Sequence, residues 1–299
     1  MRVLFIGIYA IGAQALASLI RRGLDVAGVV TKPDESVGQR PLLALAEERR
    51  LPLLAPEKLR ASSFRRSVRS LNPEVIAVAG FHRKIPAWML TLPPRGVLNL
   101  HLSLLPRYRG PSPWKWAILR GETTTGVTIH QMTSQFDQGA ILAQEEWPID
   151  PEDTGESLFH RLCPLGAELL AQVLTQIQAG TNTSRAQDER LASYDPAPTD
   201  DDARIRWTRP AREIHNQIRG LHPRPGAWTT WDGTRIRILR SSLGPSSVSE
   251  DPPGRILRCD GSLAIATGLG ILKVLEWQTD RQDDQSSGSF PPVSSNLLL

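Results

Sequence analysis

Apolar residues follow two rhythms in the first 180 positions. Unbroken apolar runs at RVLFIGI (2–8), DVAGVV (25–30) and PEVIAVA (73–79) read as strands buried on both faces, with a shorter extended piece at Leu51–Leu54. Between them, AQALASLIRRG (13–23), Leu42–Arg50 and Phe64–Leu71 have the spacing of amphipathic helices, the first ending at Gly23. Strands alternating with helices predict an α/β fold with a doubly wound, mostly parallel sheet, in which ligands sit at the carboxyl edge of the strands. Thr154–Ala179 reads as a long helix with Gly180 as its exit.

Beyond Gly180 the rhythm changes. TNTSRAQDER and SYDPAPTDDDA are polar and rich in turn formers, as in a linker, and RPAREIHNQIRG (209–220) is a short helix. Short strands follow at about 227–241, 254–259, 262–267 and 270–277, separated by Gly, Pro and Asp turns, which suits a small β-barrel. The expected division is residues 1–186, a linker at 187–206, and a second domain at 207–299. Residues 279–289 (TDRQDDQSSGS) are expected to be mobile.

Composition adds limits. A chain of 299 residues with 40% hydrophobic content can fill two ordinary cores, and a net charge of +4 permits an anionic partner without requiring one. Cys163 and Cys259 stand far apart with no Cys/His ligand spacing around them, so neither a disulfide framework nor a zinc site is expected, and a reducing cytoplasm fits. The apolar opening reads as strand, turn and helix rather than a leader, because its charge falls after the run, at Arg21 and Arg22. No stretch is long and apolar enough to predict a membrane span. The Gly7–Gly12 turn lacks the spacing of a dinucleotide loop and the Lys-Ser/Thr of a phosphate loop, so neither a nicotinamide cofactor nor ATP is indicated.

The chemistry concentrates between Val97 and Gln144. Asn99 and His101 are two apart in an apolar run, so on a strand they share a face. Alone, the pair reads equally as a capped strand end with a satisfied core histidine. The Pro- and Gly-punctuated loop Ser103–Gly110 follows, then the strand-like run Gly126–Met132, then a turn, Thr133–Gly139, that contains Asp137.

Asn99-x-His101-x-Ser103-Leu104-Leu105-Pro106-x-x-Arg109-Gly110, followed by Gly126-Val-Thr and then Asp137-x-Gly139, resembles the folate-dependent formyltransferases. That group includes methionyl-tRNA formyltransferase, nucleotide-sugar N-formyltransferases and glycinamide ribonucleotide transformylases. The resemblance runs from Met1 to about Trp277, more weakly through Phe290-Pro-Pro. It implies catalytic roles for Asn99, His101 and Asp137, and 10-formyltetrahydrofolate as the formyl donor. It also implies a folate crevice lined by Arg83, Lys84 and Ile85, by Thr133, Ser134, Gln135 and Phe136, and by Ser103, Leu104, Leu105 and Pro106. The second domain would resemble an oligonucleotide-binding barrel. No metal and no covalent enzyme intermediate are implied.

The chemistry agrees with these residue types. An amine attacking a formyl carbon leaves negative charge on the formyl oxygen, which an Asn amide can stabilise; His can move protons near neutral pH, and a carboxylate can orient the imidazole. Arg83 and Lys84 read either as an anion lure or as solvated surface. Arg109 reads as a structural or a substrate-orienting cation, and Trp114 and Trp116 as packing or stacking residues. His130, His160, His215 and His222 read as structural. For the acceptor, the turn Gly7-Ile-Tyr-Ala-Ile-Gly12 and the short loop Thr31–Arg40 depart from the methionyl-tRNA branch and favour a small amine on a nucleotide-linked sugar. Methionyl-tRNA is the first alternative, and a formyl-folate hydrolase or a non-catalytic folate binder the second. Oligomeric state is not readable.

Overall fold

The computed structural model describes residues 1–33, 36–245, 251–259 and 262–279. The segment expected to be mobile lies, except for Thr279, outside the described residues. In chain order the first elements are β1 (Arg2–Gly7), α1 (Tyr9–Arg21), β2 (Asp25–Val30), α2 (Arg40–Glu48), β3 (Leu53–Leu54), α3 (Ser62–Ser70), β4 (Val75–Ala79) and α4 (Ala87–Leu90). Next come β5 (Val97–His101), α5 (Pro113–Leu119), β6 (Thr124–Gln131), β7 (Ile141–Pro148) and α6 (Gly155–Ala179). The described residues end with α7 (Asp200–Ala203), α8 (Ala211–Leu221), β8 (Trp228–Trp231), β9 (Thr234–Leu243), β10 (Ile256–Cys259), β11 (Ser262–Ala266) and β12 (Ile271–Thr279).

Strands β1 to β7 form one sheet in the order β3-β2-β1-β4-β5-β6-β7. The pairs among β1 to β5 are parallel, while β5–β6 and β6–β7 are antiparallel. This is the doubly wound, mostly parallel α/β sheet expected, with an antiparallel hairpin closing one side. Sheet order reverses at β1 and β4, so the loops after those strands flank the crevice where such sheets bind ligands. Leu4, Ile6, Ile76, Val78 and Val97 occupy one face and pack with Phe64, Val68 and Met89 of the covering helices. Asn99 and His101 continue the Val97 face of β5 toward the carboxyl edge.

The remaining strands form a curled antiparallel half-barrel in the order β10-β11-β12-β9-β8, consistent with the OB-like domain expected. Its core gathers Ile214, Ile218, Ile238, Ile265 and Leu272 around the buried Trp207. The single strand expected at 227–241 is a hairpin, because Asp232 (φ 47°) and Gly233 (φ 72°) adopt the two left-handed conformations of a tight two-residue turn. Helix α1 starts at Tyr9, before the expected Ala13, because Gly12 packs against Gly7 and lets the turn wind directly into the helix.

By compactness the chain divides into Met1–Pro113, Thr124–Pro148 and Phe159–Pro196 on one hand, and Trp114–Thr123, Ile149–Leu158 and Ala197–Leu299 on the other. No helix among the described residues is long and apolar enough to cross a membrane.

Candidate active site

Antiparallel pairing of β5 with β6 sets Asn99 opposite His130 and His101 opposite Thr128. The turn after β6 brings Asp137 back to them. That turn needs Gly139, where a Cβ would fall 1.7 Å from the Gln131 carbonyl oxygen. His101 Nδ1 lies 3.8 Å from Asp137 Oδ2, and His130 Nε2 lies 3.4 Å from Asp137 Oδ1. Asn99 Nδ2 is 3.2 Å from His130 Nε2. The three residues expected from sequence therefore converge, and His130, read there as structural, completes the cluster. Its signal was available: His130 sits at the even spacing that puts Thr128 and His130 on one face of β6, opposite the Asn99 and His101 positions.

Hydrogen bonds fix the protons. The Tyr108 carbonyl, 2.9 Å from His101 Nε2, can only accept, so Nε2 carries the hydrogen and Nδ1 turns its lone pair to the Asp137 side. The Gln131 carbonyl, 3.0 Å from His130 Nδ1, orients that ring, and its Nε2 lies within reach of both the Asn99 amide and the Asp137 carboxylate. Burial is the largest influence on His101 and lowers its pKa; His130 adds to this, while Asp137 and the Tyr108 carbonyl oppose it without reversing it. His101 is thus neutral at pH 7. Burial acts to raise the Asp137 carboxyl, but His101, His130 and the Gly110 amide, which donates to Oδ2 at 2.9 Å, outweigh it and hold the group well below the usual carboxylate range. The result is a buried anion beside a neutral imidazole.

The expected folate loops also meet. Lys84 Nζ sits 5.7 Å from the centre of the Phe136 ring, which is 55% exposed and forms an apolar platform. Ile85 points into the core, so its side chain is withdrawn from any ligand. Arg83 donates to the carbonyls of Pro56 and Glu57, which makes it a loop clasp. Thr133 Oγ1 closes its own turn onto Gln135, and Ser134 follows it in that exposed turn. Ser103 is fully buried and its hydroxyl donates to the Arg107 carbonyl, while Leu104, Leu105 and Pro106 carry the loop over Thr128, whose Oγ1 accepts from the Leu105 amide.

The other candidates are structural in their bonding. Arg109 is 5% exposed and forks onto Glu189 at 2.7 and 2.9 Å. Trp114 donates to the Gly155 carbonyl, and Arg120 stacks over Trp116. His215 bonds Ser241 and His160 packs on Phe159. Burial pushes the Cys163 thiol up to about 12, unsuited to nucleophilic work. No group of metal-ligating side chains occurs among the described residues. A second polar cluster lies at the carboxyl edge of β1, β2 and β4, where Lys32 bonds the Tyr9 hydroxyl and the Tyr9 ring lies 6.5 Å from that of His82.

Comparison with known proteins agrees with this layout. Residues 1–174 match the formyl transferase family and residues 198–290 match the formyl transferase C-terminal domain. The methionyl-tRNA formyltransferase of Geobacter metallireducens is 36% identical over 298 residues, spanning 97% of this chain and 94% of the relative. That of Citrifermentans bemidjiense is 37% identical over 298 residues, spanning 97% and 92%. Among solved structures, WlaRD, a sugar 3N-formyl transferase determined with dTDP and 5-N-formyl-THF, superposes with a TM-score of 0.71 at 19% identity, over 92% of this chain and 97% of that one. With both halves matched in order and relatives aligned over nearly their whole length, the chain belongs to the formyl transferase family and is a formyl-group transferase.

Proposed function

We propose that this enzyme moves the formyl group of 10-formyltetrahydrofolate to the amino group of methionine esterified to tRNA. The observation that carries formyl transfer is the convergence of Asn99, His101 and Asp137, through His130, on one cluster, with Lys84 over the Phe136 ring on the turn that carries Asp137. These residues fit a folate: an exposed aromatic face suits a flat pterin, and Lys84 suits an acidic tail. When bound, the folate supplies the formyl carbon.

Each side chain then has a task. Asn99 has two amide donors; its Nδ2 lies 3.2 Å from His130 Nε2, and the amide can turn an N–H to the negative charge developing on the formyl oxygen. Neutral His101 accepts the proton of the attacking amine at Nδ1 and returns it to the folate nitrogen as the bond from that nitrogen to the formyl carbon breaks and tetrahydrofolate leaves. Between the two steps the imidazolium faces Asp137 at 3.8 Å, so the buried carboxylate stabilises charge where it appears. Asp137 remains ionised throughout and holds the ring in place.

For the acceptor, full-length relatives at 36% and 37% identity, both methionyl-tRNA formyltransferases, outweigh the two short loops that favoured an amino sugar. The sugar reading stands second, carried by the Gly7–Gly12 turn and the short Thr31–Arg40 loop. The Tyr9–Lys32–His82 cluster offers a cation for the phosphates that both acceptor classes contain. The test is tetrahydrofolate release measured with charged initiator methionyl-tRNA, with a panel of nucleotide-linked amino sugars, and with no amine. Formylation of the tRNA alone is the expected result. Formylation of a sugar alone establishes the second reading, amine-independent release a hydrolase, and no release a folate binder.

A further inference from the structure

The stretch from Arg185 to Asp195 is polar and looks expendable in sequence, yet it is stitched to both loops of the site. At one end Arg185 and Ile141 exchange backbone hydrogen bonds of 2.8 and 2.9 Å, just after the Asp137 turn. At the other, the Arg109 amide donates to the Ser193 carbonyl and the Asp195 amide to the Arg109 carbonyl, at 2.8 and 2.9 Å. Gly110 is required beside them, since a Cβ there would meet the Asp195 carbonyl oxygen at 2.3 Å. Between these ends stands Gln187. Its Nε2 donates to the carbonyls of Asp137 and Gly139 at 2.7 and 2.8 Å, and its Oε1 accepts from Arg109 Nε and Nη2 at 3.2 and 2.8 Å.

We propose that Gln187 is a positioning residue for catalysis, acting as a clamp that holds Asp137 at its working distance from His101. The clamp rests on the catalytic reading of Asp137 given above. Asp137 has φ 55°, a left-handed conformation that a non-glycine residue keeps only when its surroundings impose it. A primary carboxamide has two N–H groups, and here both are used on carbonyls two residues apart, one of them Asp137's own. The amide cannot turn over, because its oxygen faces the guanidinium of Arg109, an obligate donor. Arg109 is in turn fixed by its fork onto Glu189. The next residue, Gly110, grips the Asp137 carboxylate from the other side. Backbone and side chain of Asp137 are thus held by one continuous chain of bonds running through Arg109 and Gln187, with no contact to the reacting atoms.

Two substitutions isolate the clamp. Gln187→Met preserves length and removes both donors; Gln187→Glu preserves the pairing with Arg109 but turns an acceptor onto the two carbonyls. Either should lower kcat by up to about 100-fold, the scale expected for displacing a catalytic group by about an ångström, with KM for donor and acceptor unchanged. His101 is faced by Asp137 from the β6–β7 turn, by His130 from β6 and by the Tyr108 carbonyl. Loosening Asp137 withdraws the influence that raises the His101 pKa most, so the acid limb of kcat/KM should move to lower pH. A merely structural role would leave that limb in place. Combined with Asp137→Asn, neither substitution should reduce the rate further. A folded Gln187→Glu enzyme with wild-type kcat and an unmoved acid limb overturns the clamp, as does a full additional loss in the double variant. If Asp137→Asn alone is fully active, the catalytic reading itself falls and the clamp with it. If Gln187→Met does not fold, Gln187→Glu carries the test.

Discussion

The sheet around Asn99 and the half-barrel around Leu272 solve opposite problems. In the half-barrel, ion pairs are kept outside: Arg240 meets Glu276 at 2.6 Å with both side chains about half exposed, while the interior is mostly aliphatic around Trp207, with neutral hydroxyls such as Thr229 as its buried polar groups. At the β5–β6 edge, polar groups are taken inside. His101, Ser103, Arg109, Thr128 and His130 are all at most 5% exposed, and each has a named hydrogen-bond partner. Burying such groups is costly unless every one is satisfied. The first arrangement maintains a shape; the second holds charge and protons at fixed positions, which is what group transfer requires.

The largest effect expected from this contrast is at His101. His101→Ala should lower the kcat of the folded enzyme by about 10²- to 10⁴-fold, the usual worth of a positioned general base; a loss below about tenfold would remove His101 from proton transfer. Asn99→Ala should cost roughly 3 to 4 kcal/mol of barrier, measured as kcat/KM under single-turnover conditions.

In the half-barrel the effect moves from rate to stability. Leu272 is fully buried, so Leu272→Ala should destabilise by about 2 to 5 kcal/mol in denaturant titration and leave the kcat of the folded enzyme unaltered. A fall in kcat without loss of stability would mean that the division of labour is wrong. Arg240→Ala should change stability by less than about 1 kcal/mol.

The pH profile sharpens the site side. His101 must be neutral to accept a proton, and its folded pKa lies below 6.5, so activity should persist below pH 6.5 before falling. The same depression has a sign for stability. Above 6.5 neither state binds the proton, whereas below it the unfolded chain gains a proton the native ring refuses, so stability falls with pH until the folded pKa is reached. An acid limb above 6.5 would show that Asp137 dominates over burial.

Much of this was readable beforehand. Alternating apolar runs implied the parallel sheet because a strand covered on both faces has no polar period to keep. The spacing of Asn99 and His101 implied a shared face because the strand repeat is two. The hairpin at Asp232–Gly233 was missed because Trp228–Leu243 remains strand-like on both sides of a two-residue turn.

Sequence by itself determined which residue types could carry formyl transfer and placed Gly110 and Gly139 in the motif; only the structure showed that another stretch of backbone passes close at each. Tertiary structure alone decided which groups meet. His130 entered the site through strand pairing, Arg109 forked onto Glu189, and Gln187 reached Asp137 across fifty residues. Composition records how polar a segment is, but whether that polarity faces water or a buried carbonyl depends on which chain lies beside it.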